Sequence, residues 1–216
     1  MGGAFRDRVP GRVQLRVSAY SLLSQGAGKL GAPLFRTVFV ETAPLPLIEL
    51  LSPRTARDLE EVRVLFREYA EGLGVDLCFQ NFDEELASLP GEYTPPRGAL
   101  FLARVGGKLA GCCALRPLDN ADYPNAAEMK RLFVRKAFRG SGLGRQLAEA
   151  ALDAARQGGY ACVLLDTLDD MEAARALYEE LGFEEIPPYY HNPIAGAHYL
   201  MADLWNTSPA PLSSRF

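Results

Sequence analysis

The sequence predicts an α/β domain of the α+β kind, with one mixed sheet carrying helices on both faces. The grounds are local. The segments 99-ALFLARV-105 and 108-KLAGCCALRPL-118 flank Gly106-Gly107 and read as a strand hairpin. Later in the chain, apolar segments of strand length alternate with patterns of helical period. The order that results is β-α-α-β-β-β-α-β-α-β-β.

Taken in order, Pro46–Leu51 reads as a short strand. Thr55-x-x-Asp58 is a capping-box-like helix start, followed by Leu59, Val62, Leu65, Phe66 and Tyr69 at helical spacing. Gly72 and Gly74 end that helix. Residues 81–89 form a second short helix stopped by Pro90-Gly91, and 90-PGEYTPPRG-98 is a loop. After the hairpin and a loop over 119–126, 127-AEMKRLFVR-135 reads as a strand with a charged first half. The run 139-RGSGLGRQLAEAALDAARQGG-159 is a glycine loop feeding a helix, with Leu143, Leu147, Ala150, Ala151 and Ala154 as its apolar stripe. A buried strand, 160-YACVLLDT-167, follows. The next helix, over 170–181, carries Met171, Ala174, Leu177, Tyr178 and Leu181 on one face, with Gly182 at its C′ position. Phe183–Ile186 and 198-HYLMADLW-205 are the last strands, and residues 206–216 are a frayed tail.

The chain has 216 residues, 48% hydrophobic and 23% charged, ordinary values for one globular domain with an appendage. A net charge of −4 carries no electrostatic footprint for nucleic acid. No run approaches the roughly 18 apolar residues of a membrane span. The first 40 residues hold Arg6, Arg8, Arg12, Arg16, Lys29 and Arg36 against the single acid Asp7. A transit peptide, a disordered basic extension and upstream sequence from a mis-called start all fit this. Residues 1–45 are therefore set apart, as a disordered extension, from a domain over 46–205. Cys78, Cys112, Cys113 and Cys162 form no C-x-x-C pair. They read as small buried hydrophobes in a reducing compartment, which points to the cytoplasm.

The glycine loop is the strongest chemical signal. Gly142 and Gly144 allow close approach of a ligand to the backbone, and Gly140 adds a permissive turn. The helix start points unpaired N–H groups and a positive dipole end at the same place, and Arg139 and Arg145 add donors suited to phosphate oxygens. A dinucleotide-binding unit is a competing reading. Strand, glycine loop, helix and a strand ending in Asp166, 22 residues after Gly144, imitate it. Against it, the third glycine of G-x-G-x-x-G is replaced by Arg145, residues 135–139 separate the strand from the glycines, and no second βαβαβ half follows.

The run Arg139-Gly140-Ser141-Gly142-Leu143-Gly144 resembles the [Q/R]-x-x-G-x-[G/A] pyrophosphate loop of the GNAT (GCN5-related) N-acetyltransferases. The segment 128-EMKRLFVRKAFRGSGLG-144 is similar to that family's strand-loop-helix, and 174-ARALYEELGF-183 to its A-x-x-L-Y-x-x-x-G-F helix. Order and spacing fit from about residue 46 to 205. The resemblance implies a mostly antiparallel mixed sheet with a splayed central strand pair, and acetyl-CoA as co-substrate with no metal. It places the pyrophosphate on the backbone of Gly140, Ser141, Gly142, Leu143, Gly144 and Arg145, beside Arg139. It pairs the pantetheine arm with the backbone of Leu132, Phe133 and Val134, as an added strand would pair. It also implies direct acetyl transfer to an amine of a small molecule or peptide; homodimers are common in the family, and the sequence leaves the oligomeric state open.

Acetyl transfer to an amine needs a neutral nucleophile and a proton for the leaving thiolate. Tyr178 matches the family position of the proton donor; its periodicity alone fits a core tyrosine equally. Glu128, 11 residues before Arg139, matches a strand glutamate that acts as base in some members; a Glu128–Lys130 ion pair at the sheet edge is the alternative. Lys130 and Arg131 would otherwise hold a substrate carboxylate. The family's Asn before this helix is here Met171, a departure that keeps open a non-catalytic acyl-CoA-binding module. His191 and His198 lack partners at metal-ligand spacing, and His191 follows 187-PPYY-190, a loop that would border the substrate. The acids 83-DEE-85 and Glu92 hint at a cationic acceptor, or are solvated loop charges.

Overall fold

A computed structural model of the chain describes residues 46–74, 81–120 and 122–205, all within one unit, Pro44–Phe216. The expectations for residues 1–45, Cys78 and 206–216 lie outside the described residues.

The elements run β1 (Ile48–Leu51), α1 (Ala56–Leu73), α2 (Phe82–Ser88), β2 (Ala99–Val105), β3 (Lys108–Leu118), β4 (Ala126–Val134), α3 (Leu143–Gln157), β5 (Cys162–Leu168), α4 (Glu172–Glu180), β6 (Glu184–Ile186) and β7 (Ala197–Asp203). This is the expected order, and the local reasons are the expected ones. The Thr55 hydroxyl accepts from the Asp58 N–H at 3.1 Å while the Asp58 carboxylate accepts from the Thr55 N–H at 3.1 Å, closing a capping box on α1. Gly106 and Gly107, at φ +56° and +74°, make the two-residue hairpin turn that needs positive φ at both positions. At the end of α4, Phe183 N–H bonds to Tyr178 O and Gly182 N–H to Glu179 O, each at 3.0 Å. With Gly182 at φ +84°, this is a Schellman stop.

The strand order is β1-β2-β3-β4-β5-β7-β6. All pairings are antiparallel except β4 with β5. On one face, Val62, Leu65 and Phe66 of α1 and Leu86 of α2 pack with Leu100, Leu102, Cys112 and Ala114. On the other, α3 packs on Ala103, Val105, Cys113, Leu115, Ala127, Met129, Val163 and Leu165. The adjacent residues Cys112 and Cys113 therefore serve opposite layers, as strand alternation requires, and both are free buried thiols, as is Cys162. No helix among the described residues is long and apolar enough to cross a membrane.

Two details depart from expectation. The buried face of α3 is Leu143, Leu147, Ala148, Ala151, Leu152 and Ala155, with Ala150 and Ala154 only half-buried. Leu152 has more apolar area to bury than either alanine, and its position sets the rotation of the helix. The loop over 90–98 holds a 3-10 turn, Gly91–Tyr93. Its Tyr93 enters the α1 layer edge-on to Phe66 and donates to Glu85 at 2.5 Å.

The sheet opens at its centre. β4 and β5 pair only from Ala126–Cys162 to Glu128–Leu164; beyond Glu128 the strands continue without pairing, as a splayed pair. On its other side β4 carries a bulge, because Cys112 faces Phe133 while Ala114 faces Lys130, leaving one residue extra on β4. Arg131 sits in that bulge at φ +56°.

Candidate active site

The loop after β4 presents donors without acceptors. The N–H groups of residues 140–145 have no hydrogen-bond acceptor among the described residues. Gly142 is the N-cap of α3 with no side-chain cap, and the first turn holds no acid. Gly140 and Gly142 have φ of +77° and +79°, and a Cβ on either would meet nothing within 4 Å, so backbone conformation rather than crowding calls for glycine. Orphan donors at the positive end of a helix dipole fit a pyrophosphate. Ser141 Oγ donates to Phe138 O at 2.8 Å and Arg139 Nε to Val134 O at 2.9 Å, which fastens the loop to the end of β4. The Arg145 guanidinium, read from the sequence as a phosphate donor, is engaged by Glu180 and tied to Glu149 at 3.9 Å.

The loop leads into the gap. Leu132, Phe133 and Val134 are half-buried there, beyond the last pairing with β5. Their position depends on Arg131, whose guanidinium is held by Glu85 and lies over the rings of Tyr69 and Phe82, 5.6 and 5.2 Å from their centroids. Arg131 is thus committed within the protein.

Tyr178 rises from α4 toward the same gap. It is buried edge-on to Phe183, ring centroids 5.5 Å apart, and its hydroxyl has no hydrogen-bond partner among the described residues. Burial raises its pKa, and the charges of Cys113, Tyr69 and Asp166 raise it further. Tyr69 belongs to α1, on the opposite face of the sheet. Asp166 follows Leu165 on β5 and points away from the α3 layer. The opening between β4 and β5 lets these groups sense each other. A buried hydroxyl left unpaired costs on the order of 1–3 kcal/mol, which marks the position as one awaiting a partner.

Glu128 lies in the middle of the sheet, 1% exposed, rather than at an edge. The ion pair with Lys130 is present, Nζ to Oε1 at 3.6 Å. Arg116 Nε donates to Oε2 at 2.8 Å and Tyr189 Oη to Oε1 at 2.9 Å. Burial alone would raise its pKa; Lys130, then Arg116, and the two hydrogen bonds outweigh burial and leave the carboxyl below its ordinary value. Arg116 also donates to Glu92 at 2.8 Å. Met171, in place of the family's Asn, caps α4 without a side-chain bond, and its sulfur accepts from Thr167 Oγ1 at 3.7 Å.

Sequence reasoning missed a tyrosine cluster. The loop after β6 brings Tyr189 and Tyr190 against Tyr199 of β7, with ring centroids 5.2 to 5.5 Å apart. Asn192 Nδ2 donates to Asp166 Oδ2 at 3.4 Å. The signal was 187-PPYY-190; the contact with Asp166 needs the β5–β7 register, in which Asp166 faces Tyr199. Also missed was His198, held by Asp169 at 2.6 Å and Glu185 at 2.9 Å, 29 and 13 positions away.

A splayed sheet with a glycine loop of acceptor-free N–H groups after β4 fits an acyl-CoA ligand better than a dinucleotide. Residues 59–183 match the profile of the acetyltransferase (GNAT) family. An uncharacterized N-acetyltransferase of Schizosaccharomyces pombe is 38% identical over 158 residues, 73% of this chain and 95% of that protein. The N-acetylaspartate synthetase of Danio rerio is 30% identical over 103 residues, 47% of this chain and 36% of that protein. A GNAT acetyltransferase from Staphylococcus aureus shares the fold at a TM-score of 0.60 and 20% identity, covering 73% of this chain and 99% of that one. The chain belongs to the GNAT family of N-acetyltransferases, enzymes of acetyl-CoA-dependent acetyl transfer.

Proposed function

We propose that this protein moves the acetyl group of acetyl-CoA to an amine of a small molecule or peptide by direct transfer. The observation that carries this is the row of acceptor-free N–H groups at 140–145, opening toward the unpaired stretch of β4 and the unpartnered Tyr178 hydroxyl. The N–H groups of Gly140, Ser141, Gly142, Leu143, Gly144 and Arg145 hold the pyrophosphate, with Arg139 bracing the loop. The backbone of Leu132, Phe133 and Val134 holds the pantetheine arm as an added strand. Acetyl-CoA supplies a thioester carbon open to attack.

Tyr178 keeps a proton at its hydroxyl for the departing sulfur. Burial raises its pKa, which by itself disfavours donation. The same desolvation raises the affinity of the thiolate for a proton, so the two stay matched. Glu128 is suited to positioning more than to proton abstraction. A carboxylate shared among Arg116, Lys130 and Tyr189, with a lowered pKa, is a weak base. It fastens β4 to the loop after β6, the two sides of the acceptor cleft.

The name of the Danio rerio relative offers a second reading, an amino dicarboxylic acid as acceptor, with Arg116 and Lys130 as the cations in reach. A thiol-release assay with acetyl-CoA over polyamines, amino acids, antibiotics and peptide N-termini tests the proposal. Release with at least one amine is expected; binding of acetyl-CoA without release from any would favour a non-catalytic module.

A further inference from the structure

We propose that the acceptor's ammonium group docks on Asp166, beside the packed cluster of Tyr189, Tyr190 and Tyr199, and that the enzyme accordingly takes cationic amines in preference to amino acids. The inference rests on the acetyl-transfer reading above and names the acceptor class for it.

Asp166 lies on β5 two residues beyond Leu164, the last to pair with β4, so it stands where the sheet is open. It is half-buried, and its acceptors serve neutral groups, Asn192 at 3.4 Å and the Tyr190 hydroxyl. No lysine, arginine or histidine lies within ion-pair distance of it among the described residues. The other acids of this side are committed: Glu85 to Arg131, Glu92 and Glu128 to Arg116. Its two partners are neutral, so its charge is left for an arriving cation to meet.

The surroundings suit an ammonium. The three rings cluster within 5.5 Å of one another by centroid. Tyr199 is the cross-strand neighbour of Asp166, which sets an aromatic ring beside the carboxylate. The Tyr178 hydroxyl, more than nine-tenths buried and unpartnered, lies within reach of the charge of Asp166. An amine held on Asp166 stands at the opening of the sheet, beyond the last β4–β5 pairing.

The same inventory disfavours a carboxylate on the acceptor. Arg116 is divided between Glu92 and Glu128, each at 2.8 Å, Lys130 faces Glu128, and Arg131 is closed by Glu85. An acceptor carboxylate would meet the like charge of Asp166 without a spare cation.

The test is thiol release from acetyl-CoA with matched acceptors: phenethylamine and phenylalanine, putrescine and ornithine, ethanolamine and serine. Wild type and Asp166→Asn are compared, with acetyl-CoA binding followed by calorimetry. The expected kcat/KM is at least about tenfold higher for the amine of a pair. In Asp166→Asn it falls about 10–100-fold for the amines, the scale of a lost hydrogen bond to a charged group, at unchanged acetyl-CoA affinity. Preference for the amino acids, or unchanged kcat/KM in Asp166→Asn, would overturn the inference alone; no turnover of any acceptor by protein that binds acetyl-CoA would overturn the acetyl-transfer reading with it. Failure of wild type to bind acetyl-CoA would overturn the acetyl-transfer reading with it. If Asp166→Asn does not fold, the wild-type preference decides.

Discussion

Arg131 and Glu85 form a two-point ion pair, Nε to Oε1 at 3.1 Å and Nη2 to Oε2 at 2.6 Å, between the bulge of β4 and helix α2. Arg131 holds a positive φ of +56° that a non-glycine residue adopts only when its surroundings insist. The pair thus sets the bulge, and the bulge sets the backbone of Leu132, Phe133 and Val134 in the gap. Glu85→Gln should cost about 3–5 kcal/mol of stability, because a buried guanidinium loses its counter-charge. Acetyl-CoA affinity should fall with it. Denaturant unfolding and calorimetry read the two effects; stability lost with affinity intact would separate the bulge from the cofactor.

Tyr178→Phe should lower turnover by about 10²-fold or more, as for loss of a positioned acid, with acetyl-CoA affinity little changed. Because its hydroxyl has no partner among the described residues, the variant should unfold at the same temperature as wild type or higher. Thiol release and thermal unfolding measure both. Unchanged turnover would remove Tyr178 from the chemistry.

Glu128→Gln should weaken the protein and reduce its rate by a similar factor across pH, since the carboxylate acts by holding Arg116, Lys130 and Tyr189. A loss concentrated near neutral pH would instead mark it as the base. The depressed pKa of Glu128 contributes stability that is present above the unfolded carboxylate value of about 4.3 and is lost as pH falls below it. Asp58, lowered to about 2 by the hydroxyl and N–H of Thr55, adds acid sensitivity in the same direction. Unfolding measured from pH 5 to 2 should show a shallower decline in Glu128→Gln than in wild type.

His198 acts with the opposite sign. Its hydrogen bonds to Asp169, then Glu185, raise its pKa. That contribution is fully present below the unfolded histidine value of about 6.5 and is lost as pH rises through the folded value. The melting temperature should therefore fall on going from pH 6 to 9, and His198→Gln should flatten this slope. An unaltered slope would show that the bridge from the β5–α4 turn to β6 carries no stability.

Most of the framework was legible because its signals are local. Thr55 and Asp58 cap α1, Gly106 and Gly107 turn the hairpin, and Gly182 stops α4. The glycine loop was legible for the same reason, since its function is carried by backbone and helix start. What escaped depends on register. The partners of Glu128 come from β3 and from the loop after β6, and the tyrosines around Asp166 come from that same loop and, 33 positions after Asp166, from the strand β7 that pairs with β5. Arg145 escaped because its partner Glu180 belongs to another helix. A residue's type and spacing announce a capacity for charge; which opposite charge takes it is decided in three dimensions.

We propose that residues 140–145 hold the pyrophosphate of acetyl-CoA. Calorimetric titration of the wild-type protein with acetyl-CoA and with S-acetylpantetheine, which shares the thioester arm and lacks the pyrophosphate, tests it directly. Binding of acetyl-CoA with S-acetylpantetheine weaker by about 100-fold or more is expected, the scale of two or more charge-assisted hydrogen bonds. Equal affinity for the two, or no binding of acetyl-CoA at millimolar concentration, would contradict it.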